Sequence, residues 1–341
     1  MNKIKNIVIT GIILVLIFSV QVSAKDFDLV CLGAGGGDFT DDVISFMVKP
    51  DGIDYYSLIL DGGSIAEGIL AHGGKTGQNL LKMDPEDKVK YVASVLKKVE
   101  GILLTHSHLD HVSGFSILGP LFLNMHFQWK TPSFRVIASP ETIDNLEKYL
   151  YSGKIWGNFG HFPKDNTILK YERNEIGKTV EIGGLSVERF SVRHKVESSA
   201  YLLTNKNGNK MMFFGDTGTL GVEFYKKFRN YIDNKKLKGI ILEVSFPSTN
   251  NKLANSTTHL TRDLLVLELS KFAGLEMPEK LNYTEEEIEK YAKKAAEKIN
   301  FPVMIIHIKP WDYKQIVKEL NDLKKYGINI IIAEKGNSYS F

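Results

Sequence analysis

Residues 106–111 read HSHLDH, so His106, His108, Asp110 and His111 crowd into one short stretch. The stretch follows an apolar run, GILLT (101–105), with the composition of a buried strand. Imidazoles and carboxylates lose hydration when buried and must find partners, so a fold that starts this way is already constrained. Borderline divalent cations favour these residue types, nitrogen and oxygen donors without a thiolate. In the turn after the strand His106 and His108 can aim at one point. Asp110 and His111 begin the next helix and aim at a neighbouring one. Four ligands are too few for two cations, so further donors are expected downstream.

Three are available. His194 lies in SVRHKV, Asp216 in FFGDTG and His307 in VMIIHIKP. His106, Asp216 and His307 each come at or just past the C-terminal end of an apolar strand, where side chains distant in sequence can converge. Strand patterns recur at 27–33, 43–48, 56–63, 101–106 and 135–139, then at 185–192, 200–205, 210–216, 238–245, 302–308 and 328–334. Helical patterns occupy 85–99, 139–150, 261–273 and 309–327. This mixture predicts an α/β chain with two sheets flanked by helices, and no linker divides it. Residues 274–300 look like an added helix of no evident role.

H-x-H-x-D-H followed in order by His, Gly-Asp-Thr and His resembles the metallo-β-lactamase fold, a four-layer αββα sandwich. The resemblance runs from about Phe27 to the C-terminus. Within that superfamily the chain is similar to the class II cyclic nucleotide phosphodiesterases, through LGAGGG (32–37), LDGGSI (60–65), HSHLDHVSG (106–114), YSGKIWGNF (151–159), DTG (216–218), LEVSFP (242–247) and HLT (259–261). It implies one metal on His106, His108 and His194, and a second on Asp110, His111 and His307, with Asp216 bridging. It implies two divalent ions, zinc by ligand type, with manganese or iron fitting the same donors. It also implies that a hydroxide between them opens the phosphodiester of cyclic AMP, or of cyclic GMP, to the 5′-monophosphate. Asp110 therefore counts as catalytic as well as metal-ligating.

His259 lies outside the ligand set. The resemblance gives it the proton for the leaving alkoxide, helped by Glu243 in LEVS, and a histidine near its usual pKa can supply one. One departure is Thr258, which stands where a glycine is usual. LGAGGGD invites a dinucleotide-binding reading, but Asp38 falls where the third glycine belongs and another strand follows instead of a crossover helix. A tight turn on the rim of the metal site is the better expectation. His72 and His126 read as fillers. Trp156, Asn158 and Phe159 match a segment near the substrate in related proteins, where an aromatic could stack on a purine; a packed loop fits them equally, and His161 beside them is left open.

At the N-terminus Lys3 and Lys5 precede the apolar run IVITGIILVLIFSV and then QVSA. This pattern predicts a signal peptide, residues 1–24, cleaved after Ala24. The domain is then 25–341, exported to a periplasm or secreted, with no membrane association after cleavage. Losing two lysines and no acid lowers the formal charge from +3 to +1. That near-neutral balance argues against a nucleic acid polymer as partner. A tRNA 3′-processing endonuclease or a lactonase is the alternative on the same fold. Lactonases fit the metals but not HLT or LEVS, and β-lactamases with this motif usually carry a cysteine where Asp216 stands. The only cysteine, Cys31, lies in an apolar run and reads as a small buried hydrophobe. Oligomeric state, a homodimer included, is left open by the sequence.

Overall fold

The computed structural model describes residues 25–77 and 80–341; the expected signal peptide lies outside them. Fourteen strands form two seven-stranded sheets among the described residues. The first contains β1 (Phe27–Gly33), β2 (Ser45–Pro50), β3 (Leu58–Leu60), β4 (Gly101–Leu103), β5 (Phe134–Ala138) and β6 (Leu169–Arg173). The second contains β7 (Thr179–Ile182), β8 (Leu185–Val192), β9 (Ser198–Thr204), β10 (Lys210–Phe214), β11 (Leu237–Glu243), β12 (Val303–Ile306) and β13 (Ile330–Ile332). β14 (Ser338–Ser340) returns to the first sheet, giving the order β14-β1-β2-β3-β4-β5-β6 against β13-β12-β11-β10-β9-β8-β7.

Side chains alternate across each strand, which separates the cores. In β1, Phe27, Leu29 and Cys31 enter the layer between the sheets, whereas Val30 and Leu32 face outward. In β10, Met211 and Phe213 point inward, and Met212 and Phe214 point to the opposite helical layer. Both faces of both sheets are therefore apolar and must be covered. Helices Ile65–Lys75, Pro85–Leu96 and Leu109–Ile117 cover the first sheet. Helices Arg262–Phe272, Glu285–Ala296 and Tyr313–Lys325 cover the second. The result is the expected four-layer αββα sandwich. Cys31 is fully buried in the central layer, and burial pushes its thiol pKa up.

The added segment 274–300 now has a place. Its helix Glu285–Ala296 starts with a capping box between Thr284 and Glu287 and packs on Arg262–Phe272. Lys271 reaches Glu279 at 2.7 Å, and Arg262 reaches Glu285 at 2.7 Å. The segment thus seals a helix whose whole length is buried.

Strands β3 to β6 run parallel, as do β10 to β13. β8, antiparallel to β9, which is antiparallel to β10, points the same way as β10. Parallel strands leave their carboxyl ends on one edge, where the turns carry functional groups. Asp61, His106, His194, Asp216 and His307 all follow such ends.

Candidate metal centre

The structure brings all seven expected ligands together at that edge, in two groups that share one residue. His106, His108, His194 and Asp216 place donor atoms within 4.8 Å of one another, and so do Asp110, His111, Asp216 and His307. His108 Nδ1 lies 3.1 Å from His106 Nε2 and 3.3 Å from His194 Nε2. His307 Nε2 lies 3.1 Å from Asp110 Oδ2 and 3.2 Å from Asp216 Oδ2. Asp110 and His111 stand in the first turn of helix Leu109–Ile117, so the turn after β4 supplies both groups.

Each imidazole is aimed by what its other nitrogen binds. His111 Nδ1 donates to Asp61 Oδ2 at 2.7 Å; the carboxylate can only accept, which assigns the ring hydrogen to Nδ1 and leaves Nε2 for a cation. Asp61 also accepts from Thr105 N at 2.7 Å and Thr105 Oγ1 at 2.8 Å. Having donated there, Thr105 Oγ1 accepts from His106 Nδ1 at 3.0 Å. His194 Nδ1 donates to the Thr258 carbonyl at 3.2 Å. Ser245 Oγ donates to Glu243 Oε2 and accepts from His307 Nδ1 at 2.8 Å. Such outer partners fix tautomer and ring orientation at metal sites.

Burial, foremost, holds His106, His108 and His194 below the ordinary histidine range, which keeps them neutral with a lone pair to give. Burial pushes the Asp110 and Asp216 carboxyls up, but His111 and His307 around both outweigh it, and both stay ionised. Burial likewise works against a charged His111, and the carboxylates of Asp216, Asp61 and Asp110 overcome it.

His111 Nε2 and Asp216 Oδ1 are buried, 3.2 Å apart, and neither makes a hydrogen bond. Buried polar atoms left unpaired cost about 1–3 kcal/mol each. A cation between Asp216 and the imidazoles satisfies both, so the donor set fits divalent metal. The backbone is bent to this purpose. Asp61 and His307 adopt left-handed φ values of 54° and 63°, a region that non-glycine residues enter mostly at functional sites. Gly36 lies against His307, where a Cβ would fall 2.6 Å from its carbonyl oxygen and 2.7 Å from Nδ1. The Gly-rich turn after β1 therefore lines the site as expected, and β2 pairs antiparallel with β1 where a dinucleotide fold would place a crossover.

His259 and Glu243 lie beside the second group. His259 Nδ1 is 2.8 Å from Glu243 Oε1, and its ring stacks on His307 with centroids 5.2 Å apart. Glu243 is fully buried and also accepts from Thr217 N at 2.8 Å. Burial disfavours a charged His259, but the Glu243 carboxylate more than offsets it and raises the pKa. Glu243, His259 and His307 also meet the distance requirement for a metal; with Nδ1 of both rings engaged by Glu243 and Ser245, the geometry suits proton handling instead.

Other residues separate. His161 is exposed and bonds Glu147 at 3.1 Å, His126 is buried in the first helical layer, and His72 Nδ1 meets the Gly336 carbonyl at 3.1 Å. Phe159 is buried against Tyr151 and cannot stack on a ligand, and Trp156 packs on the same core. Sequence reasoning missed Asp61, Thr105 and Ser245. Asp61 carried the same strand-end signal as the ligands, in LDGG after β3.

The model of the class-II cAMP phosphodiesterases matches residues 74–336. The chain belongs to that family. A 3′,5′-cyclic-nucleotide phosphodiesterase of Aliivibrio fischeri is 30% identical over 95% of this chain and 96% of its own length. A Yersinia pestis protein named "Probable 3′,5′-cyclic-nucleotide phosphodiesterase" is 28% identical over 100% of this chain and 97% of its own. Among solved structures, unliganded yeast PDE1 superposes with a TM-score of 0.74 at 20% identity, covering 93% of this chain and 99% of that one. The metallo-β-lactamase fold protein YhfI of Bacillus subtilis gives 0.59 at 15% identity, covering 92% and 99%. The sandwich is therefore of the metallo-β-lactamase type.

Proposed function

We propose that this member of the phosphodiesterase family is an exported, metal-dependent hydrolase that opens 3′,5′-cyclic AMP, and cyclic GMP by the same chemistry, to the 5′-monophosphate. One observation carries the reading: two donor clusters share Asp216, with a carboxylate-bound histidine beside them. His106, His108 and His194 would hold one cation, and Asp110, His111 and His307 the other, with Asp216 between. Two divalent ions there, zinc by donor type, would offset the phosphate charge and acidify a water. The chain's own residues do the rest. Asp61, Thr105 and Ser245 keep the imidazoles in the ligand tautomer. Glu243 holds His259 by Nδ1, so Nε2 is free to pass a proton to O3′ as water adds to phosphorus and the P–O3′ bond breaks.

Residues 1–24 serve as the export leader in this proposal and 25–341 as one catalytic domain. Among the described residues no helix is long and apolar enough to cross a membrane. The near-neutral charge of the exported chain disfavours a tRNA substrate. The test is steady-state turnover of cyclic AMP, cyclic GMP, a lactone and a penicillin by protein beginning at Lys25, with metals counted in the same sample. Cyclic nucleotide turnover alone supports the reading. Faster turnover of the lactone or penicillin, or an inert metal-loaded protein, overturns it.

A further inference from the structure

Lys309 is a cation on the rim of this site that the chemistry above does not use. It follows His307 by two residues, after β12, and is half-buried. Among the described residues its ammonium makes one hydrogen bond, to the Gly36 carbonyl at 2.5 Å, which leaves two N–H groups. Among the described residues no carboxylate comes within the 4.0 Å of an ion pair. A cation held without a carboxylate partner keeps its charge for something else.

Its surroundings indicate what that is. Gly37, at φ 84°, has no side chain; a Cβ there would meet only Lys309 Nζ at 3.6 Å and Asp110 Oδ2 at 3.9 Å. The glycine thus leaves a gap with the ammonium on one side and a ligand of the second cluster on the other.

We propose that Lys309 Nζ binds a non-bridging phosphoryl oxygen of the substrate, from the side of the Gly-rich turn. Lysine binds phosphate as a compact point charge. The substrate phosphodiester carries one negative charge and the product monoester nearly two, so a fixed cation here holds the transition state and the product more strongly than the substrate. The proposal rests on the phosphodiesterase reading for the substrate but not for the anion.

The experiment compares wild type, Lys309→Met and Lys309→Arg, each loaded with zinc, for cyclic AMP turnover, inhibition by 5′-AMP and calorimetric binding of inorganic phosphate. Metal content and melting temperature are read in the same samples. A charged hydrogen bond is worth roughly a 10- to 100-fold change. Lys309→Met is expected to lose that much in kcat/KM, with kcat falling as well as KM rising, and to bind 5′-AMP and phosphate about tenfold more weakly. Lys309→Arg keeps most of each, and metal content stays constant. If Lys309→Met retains phosphate affinity within twofold, the assignment is wrong. It is also wrong if both variants lose metal and melt early, which would make Lys309 only a tether for the turn. If wild type ignores cyclic AMP while Lys309→Met alone loses phosphate binding, the substrate reading fails and the lysine assignment stands.

Discussion

Asp61→Asn tests how the ligands are aimed while changing almost no volume. The Asp61 carboxylate is fully buried and takes three hydrogen bonds, from Thr105 N, Thr105 Oγ1 and His111 Nδ1, all between 2.7 and 2.8 Å. Asparagine keeps one acceptor, which Thr105 N can occupy. Its amide then turns N–H groups toward Thr105 Oγ1 and His111 Nδ1, and two donors meet. The conflict is relieved when His111 moves its hydrogen to Nε2, the atom facing Asp216 at 3.2 Å. A protonated Nε2 has no lone pair for a cation. Losing an outer partner of this kind typically costs 10–100-fold in metal affinity, about 1.4–2.7 kcal/mol. The assay is zinc titration against a chromophoric chelator, with two resolved binding steps. The step assigned to Asp110, His111 and His307 should weaken by that factor, and the step assigned to His106, His108 and His194 should weaken less. Unchanged affinity at both steps would refute the tautomer argument.

Four further outcomes are expected. Alanine at His108 or Asp110 abolishes cyclic AMP turnover, and chelation does the same until zinc is restored; full activity of metal-free protein in a turnover assay would contradict this. Glu243→Gln removes the carboxylate that raises the His259 pKa. A proton donor works below its pKa and fails as pH rises through it, so the alkaline limb of the kcat profile should move to lower pH. Thr258 holds a left-handed φ of 60° with a β-branched side chain; His194 Nδ1 lies 3.2 Å from its carbonyl, which glycine keeps as acceptor, and 3.1 Å from its Oγ1, which glycine lacks. Thr258→Gly should raise stability in urea unfolding by about 1 kcal/mol, since relief of strain exceeds the entropy cost of glycine. Phe213→Ala removes a ring from the layer between the sheets, where it meets Phe46 edge-on at 6.2 Å, and should cost about 3–5 kcal/mol in the same measurement.

What could be read from the sequence follows from burial. The eleven strand patterns named from sequence all contain strands, because each is apolar on at least one face. The three that escaped, β6, β7 and β14, lie at sheet edges; LKYER, TVEI and SYS are short, and their buried faces hold only Leu169 and Tyr171, Val180 and Ile182, and Tyr339 between polar residues. Helix Ile65–Lys75 escaped because three glycines dilute its pattern. Gly68 is there because a Cβ would fall 2.2 Å from the Leu32 Cα, a packing need that composition cannot show. The seven ligand candidates could be picked out because metal chemistry restricts residue type and strand ends restrict place. Asp61 shared the strand-end signal, but its role, like that of Ser245, depends on which nitrogen of a distant ring it faces. Of the aromatics in the 156–159 segment, Phe159 follows the packed-loop alternative, held against Tyr151 and Gly119.

The central claim is that two cations share Asp216 at the edge where parallel strands end. Anomalous diffraction from crystals of the zinc-loaded protein, taken from a batch active on cyclic AMP, tests it most directly. The account predicts two metal peaks, one against His106, His108 and His194 and one against Asp110, His111 and His307, with the Asp216 carboxylate between them. A single peak, or peaks that leave Asp216 uncoordinated in an active sample, would contradict it.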